Sequence, residues 1–366
     1  MSQPVTTAQS LDRRVLPFTQ PDVYGFLGHA FVLGILQNYE ECKPWIHTNY
    51  VQMYISQHYI DLNEYRLDFY PDLLIIFGNV PWLEYRQTDK AELKRFDISI
   101  HAYIQRQIDN GFYFFSYVDE YYIPFTLAYG EHHFTHDIFI YGYDRTKRVY
   151  HYAVFDRNRQ FTLRELDFDV FDEAYHADTR QNAISVCRKV APEEYASYKY
   201  DFKIGKYDLD VELMADMLDD YIHARNSSDR LRLYRNAEPG RWGLDVYDAL
   251  GEYYTLLSED RINLDVRQMH NLWEHKKMML ARIDYLRELG VVPQEVPYLE
   301  TFRRLEQDTF KMRNMLLKFF FSRNNASLTK INALLAAMKA TEREACEQLL
   351  ADLRRYAVAQ AGVSQG

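Results

Sequence analysis

Apolar residues along this chain follow two rhythms, and the change between them falls near Lys206. Before that point, short apolar runs rich in aromatic and β-branched residues are bounded by turn residues, which is the pattern of strands. Strands are expected at Leu73 to Phe77, Phe96 to Ile100, Phe112 to Val118, His136 to Asp144, Tyr150 to Phe155 and Phe161 to Leu166, and further ones at Ala183 to Val190 and Tyr198 to Ile204. Among them, a glycine-marked loop from Tyr24 runs into a helix ending at Leu36, too densely apolar for a surface helix. Shorter helices are expected over Tyr50 to His58, Ala102 to Asp109 and Phe168 to Tyr175, the second stopped by Gly111. After Lys206 apolar residues recur three and four apart, as in Leu272, Met279, Ile283 and Leu286, predicting helices over 210–225, 244–257, 266–289, 299–321 and 328–356. Ser327 is placed as an amino-terminal cap and Gly290 as a carboxy-terminal one.

The expected fold class is therefore α+β: a domain over 15–205 with a mainly antiparallel sheet, followed by an all-α helical bundle over 206–358. The ends, 1–14 and 359–366, are expected to be disordered. No run reaches the length of a transmembrane helix, and the amino terminus lacks the apolar core of a signal peptide.

The stretch Asp119 to Asp156 concentrates the candidate chemistry. His136 opens one strand, and Asp156 follows its hairpin partner, so an antiparallel pairing can bring the two side chains together. A histidine oriented by a carboxylate is the base-and-orienter half of a nucleophilic triad, and its bland counterpart is a hydrogen-bonded core histidine. Asp144 reads as a turn residue. Asp119, with Tyr122 beside it, either caps a turn or grips a cationic substrate, and His133 lines the mouth of the cleft or faces solvent. His132 and His136 have the four-residue spacing of a metal pair, but Gly130 and the following strand put them on a loop, where the spacing guarantees nothing. No metal and no cofactor is expected.

Composition narrows the partners. The formal net charge of −10 leaves no concentrated basic face, which argues against nucleic acid. Three cysteines, Cys42, Cys187 and Cys346, form no zinc or disulfide spacing and suit a reducing cytoplasm. The 31 tyrosines and 22 phenylalanines suit an aromatic-rich α+β core. A nucleophilic cysteine would be expected at the amino end of the buried helix, where the helix dipole lowers thiol pKa and backbone N–H groups can hold an oxyanion. The window Tyr24 to Phe31 contains neither Cys nor Ser, and Cys42 lies beyond the far end of that helix.

The order of these features resembles the amino-terminal domain of the butirosin biosynthesis protein H family, itself similar to the bacteriocin-leader-processing cysteine peptidases. The residues that carry the resemblance are the glycine- and histidine-marked helix, Asp119-x-Tyr-Tyr-Ile-Pro124, His136-x-x-x-x-x-Gly-Tyr-Asp144 and Asp156. It covers about residues 15 to 190 and implies a papain-like domain in which His136 is the general base and Asp156 its orienter. The family's nucleophilic cysteine would fall at His29-Ala30, where this chain has alanine. A shifted register, an introduced Cys-to-Ala change and a natural loss of the covalent route each account for that. The resemblance further implies natural-product (nonribosomal peptide or polyketide) biosynthesis, with an acyl group moving from a carrier-protein thioester to an amine. The partners would be an acyl or peptidyl carrier protein and an amine substrate. A thioester is already activated, so direct attack by an amine deprotonated by His136, with the helix amino end stabilising the oxyanion, needs no enzyme nucleophile. A non-catalytic protein that holds a carrier arm or peptide in the same cleft is the alternative. The helical domain carries no readable motif; Arg303-Arg304 and His275-Lys-Lys277 either dock an acidic carrier protein or, the expected reading, lie on solvated charged faces, and homodimerisation through this domain is open.

Overall fold

The computed structural model describes residues 12–71, 76–191, 207–233 and 235–363. In chain order the described strands are β1 (Arg13–Val15), β2 (Met53–Ser56), β3 (Leu67–Phe69), β4 (Leu83–Asp89), β5 (Tyr113–Asp119), β6 (Thr135–Asp144), β7 (Val149–Phe155), β8 (Phe161–Asp167), β9 (Ala183–Lys189) and β10 (Gly240–Trp242). The helices are α1 (Leu27–Leu36), α2 (Lys43–Asn49), α3 (Gln57–Asp61), α4 (Ile76–Asn79), α5 (Lys90–Arg95), α6 (Ile100–Asp109), α7 (Phe168–Ala177), α8 (Val211–Ile222), α9 (Val246–Ser258), α10 (Arg267–Glu288), α11 (Pro297–Ser322) and α12 (Ala326–Val363). The chain is α+β. No described helix is long and apolar enough to cross a membrane.

Two compact units divide the chain: residues 1–40 with 76–206, and 41–75 with 207–366. The first is built on an antiparallel sheet in the order β4-β9-β5-β6-β7-β8, with β1 paired to the end of β6. Successive side chains on a strand point to opposite faces, and here the two faces have different covers. α1 lies on one face: Phe31 stacks on Phe139 at 4.6 Å and meets Phe115 edge-on at 5.8 Å. α6 and α7 lie on the other, where Tyr103 and Phe171 both meet Phe114 edge-on.

The second unit holds a three-stranded antiparallel sheet, β10-β2-β3, and helices α8 to α12. α10 packs on α11, α11 on α12, and α12 also on α8 and α9. Leu272, Met279, Ile283 and Leu286 are all fully buried, as their spacing requires. Gly290 follows α10 with φ of +69°, the left-handed conformation of a helix stop.

Several elements depart from the sequence expectation. The single domain expected over 15–205 loses residues 41–75 to the second unit, because β2 pairs with both β3 and β10 and so joins distant segments. The same pairing overrides the helix expected over Tyr50 to His58. The strand expected at Phe96 to Ile100 is a turn between α5 and α6, with Asp97 at φ of +52°. Of Leu73 to Phe77, residues 73–75 lie outside the described residues, and Ile76 begins α4; the strand expected at Tyr198 to Ile204 also lies outside. α12 starts at Ala326, which puts Ser327 inside its first turn, and runs to Val363 through most of the expected tail.

Candidate active site

The hairpin forms as expected: β6 and β7 are antiparallel, with Phe139 opposite Ala153 and Ile140 opposite Tyr152. The expected His136–Asp156 pair does not. Asp156 follows β7 in a tight turn, where its Oδ1 accepts backbone N–H bonds from Asn158 at 2.8 Å and Gln160 at 3.0 Å. Its Oδ2 faces the Arg164 guanidinium at 3.3 Å. A carboxylate with three local donors closes the turn first, and it is buried there.

His136 is oriented by Glu120 instead. Nδ1 of His136 lies 2.7 Å from Glu120 Oε1, with the histidine side chain 33% exposed and the glutamate 11%. The chain supplies this pair through register. Val118 is opposite His136 across β5 and β6, and Glu120, two residues on in a 3-10 turn (Glu120–Tyr122), continues the same side just beyond the strand end. The bond Glu120 N–H to Phe134 carbonyl, 2.8 Å, ties that turn to the start of β6. Sequence reasoning missed Glu120 because Asp119 beside it drew the strand-end role; knowledge of the β5–β6 register would have revealed it.

Asp119 is committed to its own turn. It accepts from Tyr121 N–H at 3.1 Å and Phe134 N–H at 3.0 Å, and its Oδ2 lies 2.6 Å from His133 Nδ1. Burial works against its charged form, yet the His133 hydrogen bond, the two backbone donors and the His133 charge prevail and hold the carboxyl below its ordinary range. The His133 ring stacks on Tyr121 at 4.5 Å and lies 6.1 Å from Tyr122. The structure thus brings Asp119, Tyr122 and His133 together, but as a braced turn in which both Asp119 oxygens have donors.

His29 and Ala30 are buried in the first turn of α1. Phe31 faces Phe139 and Phe115, while Gly34, one turn on, sits against Phe18, which stacks on Tyr141. α1 therefore runs along β6, and its amino end lies toward the end of the sheet that carries His136. The two are nonetheless on opposite faces. Phe139 points at α1, so alternation turns His136 to the α6/α7 face and puts Asp137 on the α1 face. Oδ1 of Asp137 is buried with no hydrogen-bond partner among the described residues, and burial raises its carboxyl, opposed by His136 and aided by Glu120.

On the His136 face the site has further members that the sequence did not single out. Tyr152 lies between Ile140 and Arg164 in the strand register, and its buried hydroxyl has no partner among the described residues. Burial pushes the phenol up, against Arg164 and with Glu120. The loop between β5 and β6 adds apolar surface: Phe125 under the Arg164 guanidinium at 4.5 Å, Phe134 stacked on His136 at 5.2 Å, and Leu127, all exposed.

The three cysteines are free thiols. Cys42, Cys187 and Cys346 are buried, and burial pushes the Cys187 thiol up, away from the thiolate a nucleophile needs. Among the described residues no group of three or more His, Cys, Asp or Glu side chains could hold a metal ion. No protein-family model matches the chain, and no curated protein matches it.

Proposed function

We propose that the first unit catalyses base-assisted acyl transfer, with His136 removing a proton from an attacking amine and Glu120 holding the imidazole. The single observation that carries this reading is the 2.7 Å contact between His136 Nδ1 and Glu120 Oε1, a part-exposed imidazole on a buried carboxylate. With Nδ1 fixed by a carboxylate, proton transfer passes through Nε2 and the carboxylate steadies the imidazolium that forms; the amine nitrogen bonds to the acyl carbon as the thioester C–S bond breaks, and the imidazolium returns its proton to the departing carrier thiolate. The resemblance supplies the substrate class: a carrier-protein thioester as acyl donor and an amine as acceptor, in a papain-like domain. The exposed apolar side chains of Phe125, Leu127 and Phe134 beside His136 suit an acyl chain.

A papain-like covalent cycle gains no support from the layout. Ala30 offers no nucleophile, and the amino end of α1 is on the face opposite His136, so an oxyanion formed at His136 would not meet it. The same two observations favour the second reading, a non-catalytic protein that binds a carrier arm or peptide.

Amide formation from a loaded carrier protein and an amine separates the two readings. His136→Ala should lower the rate by roughly 10²- to 10⁴-fold, the span of general base catalysis, and Glu120→Gln should lower it in the same direction. Asp156→Ala should leave the rate per folded molecule unchanged, since that carboxylate serves its turn. A wild-type protein that binds the carrier without turnover would establish the binding reading, and equal rates for His136→Ala and wild type would remove His136 from the chemistry.

A further inference from the structure

Among the described residues the second unit buries Lys276 and Arg282, and of these Lys276 alone has a counter-charge. Lys276 is matched: its Nζ lies 2.5 and 2.6 Å from the two oxygens of Glu342. The hydroxyls of Tyr221 and Tyr247 donate to the same carboxylate. Arg282, six residues further along α10 and 1% exposed, is not matched. Its Nε donates to the His47 carbonyl at 2.6 Å, its Nη1 lies 2.8 Å from Met279 Sδ, and its Nη2 has no partner among the described residues.

Among the described residues no carboxylate pairs with it. Burial pulls the guanidinium down to about 9, so it remains cationic at neutral pH. The ionisable group it feels is Cys346, whose thiol burial pushes well above its ordinary value, with Glu342 adding to the rise; the sulfur is therefore neutral. Glu342 is already engaged by Lys276. A buried charge without an opposite charge is strongly unfavourable. His47, the residue whose carbonyl receives Nε of Arg282, carries a second orphan atom: its Nδ1 is also buried without a partner among the described residues. Burial, with Arg282 and Lys43, pushes the His47 ring down to about 3, so it is neutral, and its Nδ1 is a donor when that nitrogen carries the ring proton.

We propose that Nη2 of Arg282 and Nδ1 of His47 together hold one small monovalent anion of the halide class, a structural counter-ion of the helical unit. One positive charge and two donors match a single-atom anion. A phosphate or carboxylate would bring more acceptor oxygens than these donors satisfy, and each unsatisfied oxygen would be buried at a cost.

Bromide tests this directly on the wild-type protein. In crystals grown or soaked in bromide, an anomalous peak in contact with Arg282 Nη2 and His47 Nδ1 is expected; no peak there at saturating bromide would overturn the proposal. In solution, the melting temperature should rise by about 5 °C when bromide reaches a hundredfold over its dissociation constant, compared with gluconate at equal ionic strength. Arg282→Met, which keeps the length and removes the charge, should melt at the same temperature in both salts. A halide response that survives in Arg282→Met would also overturn the assignment, and if that variant does not fold, the bromide crystal decides alone.

Discussion

Asp119 and Glu120 are neighbours with opposite assignments. Asp119 spends both oxygens on Tyr121, Phe134 and His133, while Glu120 places one oxygen on His136. The difference shows in acid. Because the folded carboxyl of Asp119 lies below its ordinary value, folding is favoured wherever that group is ionised in the native state. The contribution is full above the unfolded value near 3.8 and is lost as pH falls through the lower folded value. Asp119→Asn should therefore lower stability at neutral pH by about 1–3 kcal/mol, the cost of weakening a buried, charge-assisted set of hydrogen bonds. The gap from wild type should narrow below pH 4. Urea unfolding at pH 7 and pH 3 reads both values, and a gap that is equal at the two pH values would refute the ionised brace. At this scale the sequence revealed residue types and strand ends: His136, Asp119 and Asp156 are all where strand periodicity put them. It did not reveal partners, because a carboxylate chooses its donors by register and turn geometry, which lie outside any local pattern.

The strand β6 shows the same division at the level of elements. Its alternation and turn residues announced the hairpin, but the glycine within His136-x-x-x-x-x-Gly-Tyr-Asp144 has a packing reason that only the fold exposes. Pairing with β7 shifts register between Ile140 and Gly142, a β-bulge, and β1 pairs there with Val15 opposite Gly142. A Cβ on Gly142 would stand 2.8 Å from the Arg14 carbonyl oxygen and 2.9 Å from Val15 Cα, both backbone atoms that cannot move aside as a side chain could. Gly142→Ala should cost about 1–3 kcal/mol by overpacking and loosen β1 from the sheet. Chemical denaturation measures the first effect and amide exchange at Arg14 and Val15 the second; protection retained at those amides would show that the strand accommodates a side chain. Helices were the more legible elements, since a period of three and four survives over many residues. β2 was not, because a four-residue strand is recognisable only by the partners it finds at β3 and β10.

Across the whole molecule, the division of the chain into units depends on those distant pairings, and so does the way charge is buried. The composition shift near Lys206 located the start of the long helical stretch, yet residues 41–75 belong with it. No local signal marks this, because β2 reads as part of a short helix and the three residues of β3 are too few to announce a strand. The helical unit is held by more than its apolar stripes. Tyr221 from α8, Tyr247 from α9, Lys276 from α10 and Glu342 from α12 meet in one fully buried cluster, so a single carboxylate links four helices. Breaking such a pair on one side leaves the other charge buried, which typically costs about 3–5 kcal/mol, whereas replacing both members by apolar residues of similar size is often neutral or stabilising. Glu342→Leu alone should therefore destabilise the unit severely, Lys276→Met alone should also destabilise it, and the double replacement should recover most of the loss. Equilibrium unfolding of the four proteins closes a double-mutant cycle. A coupling energy near zero would mean that the four helices are held by apolar packing alone. A large coupling would mean that the charge pair sets how they fit, since the hydroxyls of Tyr221 and Tyr247 have to stay oriented toward whatever occupies position 342.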